Sequence, residues 1–113
     1  MRRLACALAF AAGTIPPVCA QDVAGPELFT RPDKGHCIAC HQVPAGAGPA
    51  TRSDLGPALA GERMRLLGKP TLRILIADPM RFNPATVMPP YGRHQILDER
   101  EIARLADYLH ALP

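Results

Sequence analysis

The sequence lacks tryptophan, has aromatic residues at only 4% of its positions, and contains no run of basic or acidic side chains. Without charged runs, neither a clamp for nucleic acid nor a polybasic patch for a membrane surface is expected. The chain has 113 residues, which makes it one domain at most. This length also excludes a doubly wound nucleotide-binding fold and a barrel enzyme.

The N-terminal segment has the features of a secretory signal peptide. Arg2 and Arg3 precede a short apolar run over residues 4–12, and a small-residue cleavage site at 18–20 comes before Gln21. The run is shorter than the ~20 apolar residues of a transmembrane helix. We therefore expect residues 1–20 to be removed on export to the periplasm. The product is a single domain over residues 21–113 with no stable membrane insertion.

The segment that remains has few means of building a core. It has 93 residues, a formal charge of +1, four aromatic residues, and two cysteines, Cys37 and Cys40. Small exported domains often add disulfides or a metal to a thin core. A cysteine pair only three positions apart, however, closes too small a loop to join distant segments. We therefore expect that something other than side chains fills the centre.

Residues 37–41 read C-x-x-C-H, the attachment signature of c-type haem. Residues three apart lie on the same face of a helical turn, so both thiols reach the two vinyl groups on one porphyrin edge and form thioethers. His41 follows directly, so its imidazole binds iron from one side. Attachment of this kind takes place outside the bacterial cytoplasm, which agrees with the signal peptide. The motif predicts one covalent haem c per chain, held by Cys37 and Cys40.

Two other interpretations of the cysteine pair have less support. A thioredoxin-like redox pair is expected in a βαβ setting after a strand, and the sequence has no such pattern. A zinc site needs further cysteine or histidine residues at ligand spacing. His36 adjoins Cys37, while His94 and His110 are far away in no recognisable pattern.

The helical signals predict an all-α fold, because no segment alternates apolar and polar residues convincingly. A short helix is expected over 25–31, ending near Pro32. Pro70 suits the first position of a second helix, which Pro79 ends. Residues 43–54 are rich in glycine, proline, alanine and serine and are predicted to be a loop.

The last helix has the clearest signals. Asp98 and Glu101 have the spacing of a capping box. Apolar residues then recur at spacings of three and four, which predicts an amphipathic helix that runs nearly to the C-terminus: Ile102, Leu105, Leu109 and Leu112. The prolines and the glycine of residues 83–92 predict an ordered loop before it.

Three methionines and one histidine are candidates for the second axial ligand of the iron. Met88 precedes two prolines, and a residue before proline is held in an extended conformation. Such a position suits a thioether on a stiff loop over a ring, so we assign Met88 as the ligand opposite His41. Met64 and Met80 are expected to fill gaps in the core instead. His94 lies six residues beyond Met88, so a bis-histidine site stays open as an alternative.

Other residues are candidates for contacts with the haem. A ligating histidine usually donates its other ring N–H to a carbonyl, and the Pro57 carbonyl is our candidate acceptor. Tyr91 and Asn83 are candidates for contact with the haem or its propionates, with ordinary loop packing an equal alternative. Five arginines are possible propionate partners, most of them expected to be solvated charges: Arg63, Arg65, Arg73, Arg81 and Arg93.

Taken together, these segments resemble the small single-haem cytochromes c, and more narrowly the SoxX family. The resemblance rests on residues 34–41 (KGHCIACH), 55–61 (LGPALAG), 72–78 and 82–92 (FNPATVMPPYG), followed by matches within 101–109. C-x-x-C-H alone is generic, whereas N-P-x-T-x-M-P-P after the G-P-x-L loop is more particular. The family often has asparagine where this chain has His36. The segment before the haem motif is also short, so we expect weaker packing of the first helix on the last.

The resemblance implies a cytochrome c-like domain of short helices wrapped around one haem. SoxX proteins are the small subunits of the SoxAX cytochromes, which act as L-cysteine S-thiosulfotransferases in bacterial sulfur oxidation. The partner, SoxA, is a larger haem subunit. The pair couples thiosulfate oxidatively to a cysteine of the carrier SoxYZ, and SoxX passes electrons to a soluble cytochrome c. On this interpretation the chain itself is not the site of the sulfur chemistry.

Two other functions are kept as alternatives. The first is a free-standing periplasmic electron carrier, which shares the fold, haem and ligands and differs only in its partner. Carriers that act alone often have a charged ring around the haem edge, and the near-neutral charge mildly favours a stable complex. The second is a haem enzyme or gas sensor with an open iron position, which binding of carbon monoxide by the reduced protein would indicate.

Overall fold

The structure, a computed structural model, describes residues 22–113. Three α-helices make up its framework: α1 (Gly25–Thr30), α2 (Gly61–Ala77) and α3 (Glu99–His110). Two short 3₁₀ turns, Cys37–Ala39 and Pro79–Arg81, lie in the connections. The described residues contain no strand, which confirms the predicted all-α fold. The predicted signal peptide, residues 1–20, lies outside them.

The capping box predicted for α3 is present. Asp98 Oδ1 accepts the Glu101 N–H at 2.8 Å, and Glu101 Oε2 accepts the Asp98 N–H at 2.9 Å. Lys34 Nζ lies 2.7 Å from the other carboxylate oxygen of Glu101, which is buried. This ion pair attaches the chain just before the cysteine motif to the start of α3. The apolar side of α3 is buried as its spacing predicts, through Ile102, Leu105 and Leu109, and Leu112, just beyond the end of the helix, is buried as well.

The first helix packs closely on the last, although the short segment before the haem motif led us to expect weaker packing than is usual in the family. Leu28 and Phe29 are completely buried, and the ring of Phe29 meets that of Tyr108 edge to face with centroids 5.6 Å apart. Gly25 permits the close approach. A Cβ there would lie 2.6 Å from Tyr108 Cβ and 2.7 Å from the Arg104 carbonyl oxygen. Although α1 is short, it packs tightly, because Gly25 lets it approach α3 closely and because the large side chains of Leu28 and Phe29 are buried.

The second helix consists of two segments joined at Gly68. Gly68 has φ 75° and ψ 155°, a conformation that glycine adopts without strain. Pro70 then begins the second segment, as predicted, because its missing N–H costs nothing at a helix start. Met64 lies in the first segment. Only glycine connects the two helical segments readily with these φ and ψ angles.

The C-terminal residues are attached to the start of α2. The Gly61 N–H donates to the Pro113 carbonyl oxygen at 3.1 Å, and Arg65 Nη1 donates to the Leu112 carbonyl oxygen at 2.7 Å. A Cβ at Gly61 would overlap that same Leu112 oxygen. These contacts hold the end of α3 against α2, and the two helices together form the back wall of the cavity described next.

Candidate haem site

A cavity of about 310 Å³ opens between the cysteine motif, the loop at residues 55–59, α2 and the loop at residues 86–91. Its volume lies at the lower end of the ~300–1,000 Å³ range of ligand pockets. Much of its wall is aliphatic, from Leu59, Leu67, Leu72, Leu75, Ile76 and Leu109. Such a wall favours binding of a large apolar ligand, and it keeps water away from that ligand.

The two cysteines lie at one end of this cavity. Residues Cys37–Ala39 form a 3₁₀ turn, and the Cys40 and His41 N–H groups both donate to the Cys37 carbonyl oxygen, at 3.1 and 2.8 Å. Both thiols are free and half-buried, and both residues line the cavity. Burial raises the pKa of the Cys37 thiol to about 11. The predicted helical turn is confirmed, and it places both cysteines at the same cavity.

His36 begins this turn in the left-handed conformation, with φ 45°. Asparagine and histidine are among the few residues other than glycine that adopt this region readily. The side chain is exposed and lines the cavity, next to the cysteines.

The imidazole of His41 is fixed by the backbone. Nδ1 lies 2.7 Å from the Pro57 carbonyl oxygen. Because a carbonyl oxygen only accepts, Nδ1 carries the proton, and Nε2 is left with a lone pair for a metal. The predicted role of the Pro57 carbonyl is confirmed. Gly56 gives the ring its space, since a Cβ there would lie 2.7 Å from Nδ1 and 2.9 Å from Nε2.

The candidates for the second axial ligand are separated by their positions. Met88 is half-buried and lines the cavity. His94 is exposed and is not among the residues that line it. Met80 is 39% exposed, with its sulfur 3.9 Å from Arg93 Nη1, so the expectation that it fills a gap in the core is wrong. Of the candidates, Met88 and Met64 line the cavity, and Met88 is the one that lies on a loop.

Met64 has a second position-dependent role that was not predicted from the sequence. It belongs to the buried core, as expected, with 3% of its surface exposed. It also lines the cavity, together with Leu67 on the same helix face. The three-residue spacing of Met64 and Leu67 was a signal for this shared face. The site thus has a second thioether in its wall, on a helix rather than on the stiff loop of Met88.

Tyr91 and Asn83, the two candidates for haem contact, have different positions. Tyr91 is half-buried and lines the cavity, and burial raises the pKa of its hydroxyl to about 12. Asn83 does not line the cavity. Its side-chain oxygen accepts the Ala85 N–H at 3.0 Å, so its role is to form a turn.

Only one of the five candidate arginines borders the cavity. Arg63 is exposed and lines it. Arg65 donates to the Leu112 carbonyl oxygen instead, and Arg93 lies 3.9 Å from Asp78 Oδ2. Arg73 and Arg81 are exposed and lie elsewhere on the surface.

The residues of the cavity fit a c-type haem. Two adjacent thiols, an imidazole with a free Nε2, and a thioether on a separate loop surround one apolar space. To a bound haem this combination would supply two attachment points and two axial ligands. The zinc alternative lacks support in residues 22–113, where no group of three or more metal-binding side chains is gathered. In the same range, no helix combines the length and apolar composition needed to cross a membrane.

Comparison with known proteins gives two findings. A family model described as Cytochrome c matches residues 23–113. The structure is also similar to a chain in a crystal structure of SoxXA from P. pantotrophus, with a TM-score of 0.64 and 24% identity over 77% of each chain. That likeness concerns the fold. No curated protein matches the sequence significantly.

Proposed function

Since this chain belongs to the cytochrome c family, we propose that it is a SoxX-like electron-transfer subunit of a thiosulfate-oxidising SoxAX cytochrome. Its cofactor is haem c, covalently bound. We assign the thioether bonds to Cys37 and Cys40 and the axial ligands to His41 and Met88. The observation that carries the assignment is the single apolar cavity that all four residues line.

When bound, the haem supplies a one-electron couple whose potential a His/Met ligand pair raises. The residues of the chain prepare its environment. The Pro57 carbonyl orients the His41 ring and places the proton of the neutral imidazole on Nδ1, so that Nε2 is the nitrogen that would bind iron. The aliphatic wall formed by α2 and α3 excludes water, and Gly56 leaves the imidazole its space, because a Cβ there would overlap the ring. These features favour a rigid site that changes little between oxidation states.

The reaction in which the subunit takes part is an oxidation outside this cavity. A carrier cysteine thiol and the terminal sulfur of thiosulfate form an S–S bond, releasing one proton and two electrons. A haem held by this chain would supply a one-electron couple for these electrons. His41 and Met88 would both hold its iron, which would leave no position on it for thiosulfate. The bond is therefore formed on the partner, and this chain conducts the electrons onward.

The partners follow from the same proposal. The similarity to a chain of SoxXA favours a larger, SoxA-like haem subunit as a stable partner. A SoxYZ-like protein would carry the cysteine that is modified, and a soluble cytochrome c would accept the electrons. We further propose that residues 1–20 are a signal peptide and that residues 21–113 form the periplasmic domain. Cleavage after residue 20 would leave Gln21 as the first residue, and the mass of the secreted protein tests this.

Purification from the source organism tests the partnership. A tag on the C-terminus of this chain should bring down one larger haem protein in equal amount. The purified pair should form the S–S product from thiosulfate and a carrier cysteine when an electron acceptor is supplied. A haem-containing chain that purifies alone, and that restores no thiosulfate oxidation to the extract from which it was removed, would support the free-standing carrier instead.

A further inference from the structure

The residues before Met88 form two successive turns closed by side-chain oxygens. Asn83 Oδ1 accepts the Ala85 N–H at 3.0 Å, and the Asn83 carbonyl accepts the Thr86 N–H at 3.0 Å. Thr86 Oγ1 then accepts the Met88 N–H at 3.1 Å. Threonine and asparagine side chains form such turns because they reach the N–H group two residues ahead. The second turn ends on the proposed axial ligand itself.

The backbone on the other side of Met88 is fixed by different means. Pro89 and Pro90 have restricted φ angles and no N–H groups to donate. Pro90 is buried, and its carbonyl accepts the His94 N–H at 2.9 Å. Val87, between Thr86 and Met88, is 89% exposed and so contributes little packing. The Thr86 hydroxyl is therefore the contact that holds Met88 from its N-terminal side.

We propose that Thr86 is a positioning residue, whose hydroxyl holds the Met88 backbone so that the thioether stays directed at the iron and leaves it slowly. This proposal rests on the assignment of Met88 as the axial ligand. The physical basis is preorganisation: a ligand that is already held in place loses less conformational freedom on binding. Thr86 is half-buried and lines the cavity, so water does not readily replace its oxygen as the acceptor.

The chain offers a matched set of variants. Thr86→Val has nearly the same shape but no acceptor oxygen, and Thr86→Ser restores the oxygen. Asn83→Ala removes the equivalent hydrogen bond of the preceding turn, which does not reach Met88. Thr86→Ala replaces the valine variant if that protein does not accumulate. All are made in the full chain and purified as haem-containing protein.

Two measurements are made on each variant. The first is the hydrogen-exchange rate of the Met88 amide, which reports the hydrogen bond directly. The second is the rate at which the reduced protein binds carbon monoxide, which requires the thioether to leave the iron. In Thr86→Val the amide should exchange faster and carbon monoxide binding should be about fivefold faster, the effect of one ordinary hydrogen bond. Thr86→Ser and Asn83→Ala should stay within about twofold of the wild type.

Each contrary outcome identifies a different failure. Equal carbon monoxide rates in Thr86→Val and the wild type would overturn the proposal while leaving Met88 as the ligand. So would an equal increase in Asn83→Ala, because the general stiffness of the loop would then be responsible. A wild-type oxidised spectrum without a sulfur-to-iron charge-transfer band would overturn the Met88 assignment and this proposal with it.

Discussion

His41 Nδ1 lies 2.7 Å from the carbonyl oxygen of Pro57, sixteen residues further along the chain. This contact joins the cysteine motif to the loop at residues 55–59, and it determines which nitrogen of the ring is free to bind metal. Gly56 lies so close to the imidazole of His41 that its Cα has room for a hydrogen but not for a side chain. The loop thus supports the proximal ligand through both a hydrogen bond and a close contact.

Gly56→Ala should disturb the proximal ligand. A Cβ at this position would lie 2.7 Å from His41 Nδ1, so either the ring or the loop must move. We expect a lower yield of haem-containing protein and a lower reduction potential in what remains. Ala58→Ser, at an exposed position of the same loop, is the control. Absorption spectra and redox titration measure both effects, and a Gly56→Ala protein identical to the control would contradict the role given to this loop.

Met88→Ala should keep the haem attached, because the thioether bonds to the cysteines are untouched. The reduction potential of the haem should fall by on the order of 0.1 V, because the substitution removes the Met88 sulfur, the ligand that raises this potential. The sulfur-to-iron band should disappear, and the reduced protein should bind carbon monoxide readily. Met80→Ala, on the surface, should change none of these. An unchanged potential in Met88→Ala would point to Met64 or His94, each of which can be replaced in the same way.

Phe29→Ala should destabilise the domain strongly. The side chain is completely buried between α1 and α3, and truncation of such a residue costs about 3–5 kcal/mol. Phe82→Ala is the matched control, because the Phe82 side chain is 54% exposed. Denaturant unfolding of the two haem-containing variants measures the difference. Similar losses of stability in both would contradict the tight packing of α1 on α3.

The capping box should make stability sensitive to acid. The Glu101 N–H donates to the Asp98 carboxylate and holds the pKa of that carboxyl below its ordinary 3.8. The unfolded chain therefore binds the proton first, so this contribution is complete above the ordinary value and is lost as pH falls through the folded one. In Asp98→Asn the side-chain oxygen can still cap the helix, but it carries no charge. In denaturant unfolding, the midpoint concentration of this variant should fall less than that of the wild type as the pH is lowered from ~5.

The parts of the structure that depend on short-range spacing were predictable from the sequence. The C-x-x-C-H turn, the capping box of Asp98 and Glu101, and the start of a helix segment at Pro70 each follow from a few adjacent residues. The Pro57 carbonyl lies sixteen residues from His41 and was only a candidate, because a ligating histidine requires an acceptor but the sequence does not specify which one. For the three local features, the chemistry of adjacent residues allows few solutions.

Other features depend on which distant segments meet. Gly25 has no local signal for close packing, since the need for a missing side chain arises from Tyr108 and Arg104. The place of Met64 in the cavity wall follows from how the first segment of α2 approaches Leu109 and the cysteine motif. Asn83 has the composition of a ligand-contacting residue, but its oxygen forms a turn instead. These features require the tertiary arrangement.

Mass spectrometry of the mature protein after trypsin digestion tests the central claim most directly. Cleavage after Lys34 and Arg52 yields the peptide of residues 35–52, which contains Cys37, Cys40 and His41. We predict that this peptide carries the mass of one haem, which acidified organic solvent does not remove. A peptide with the mass of two free cysteines, or a haem that the solvent extracts, would contradict it.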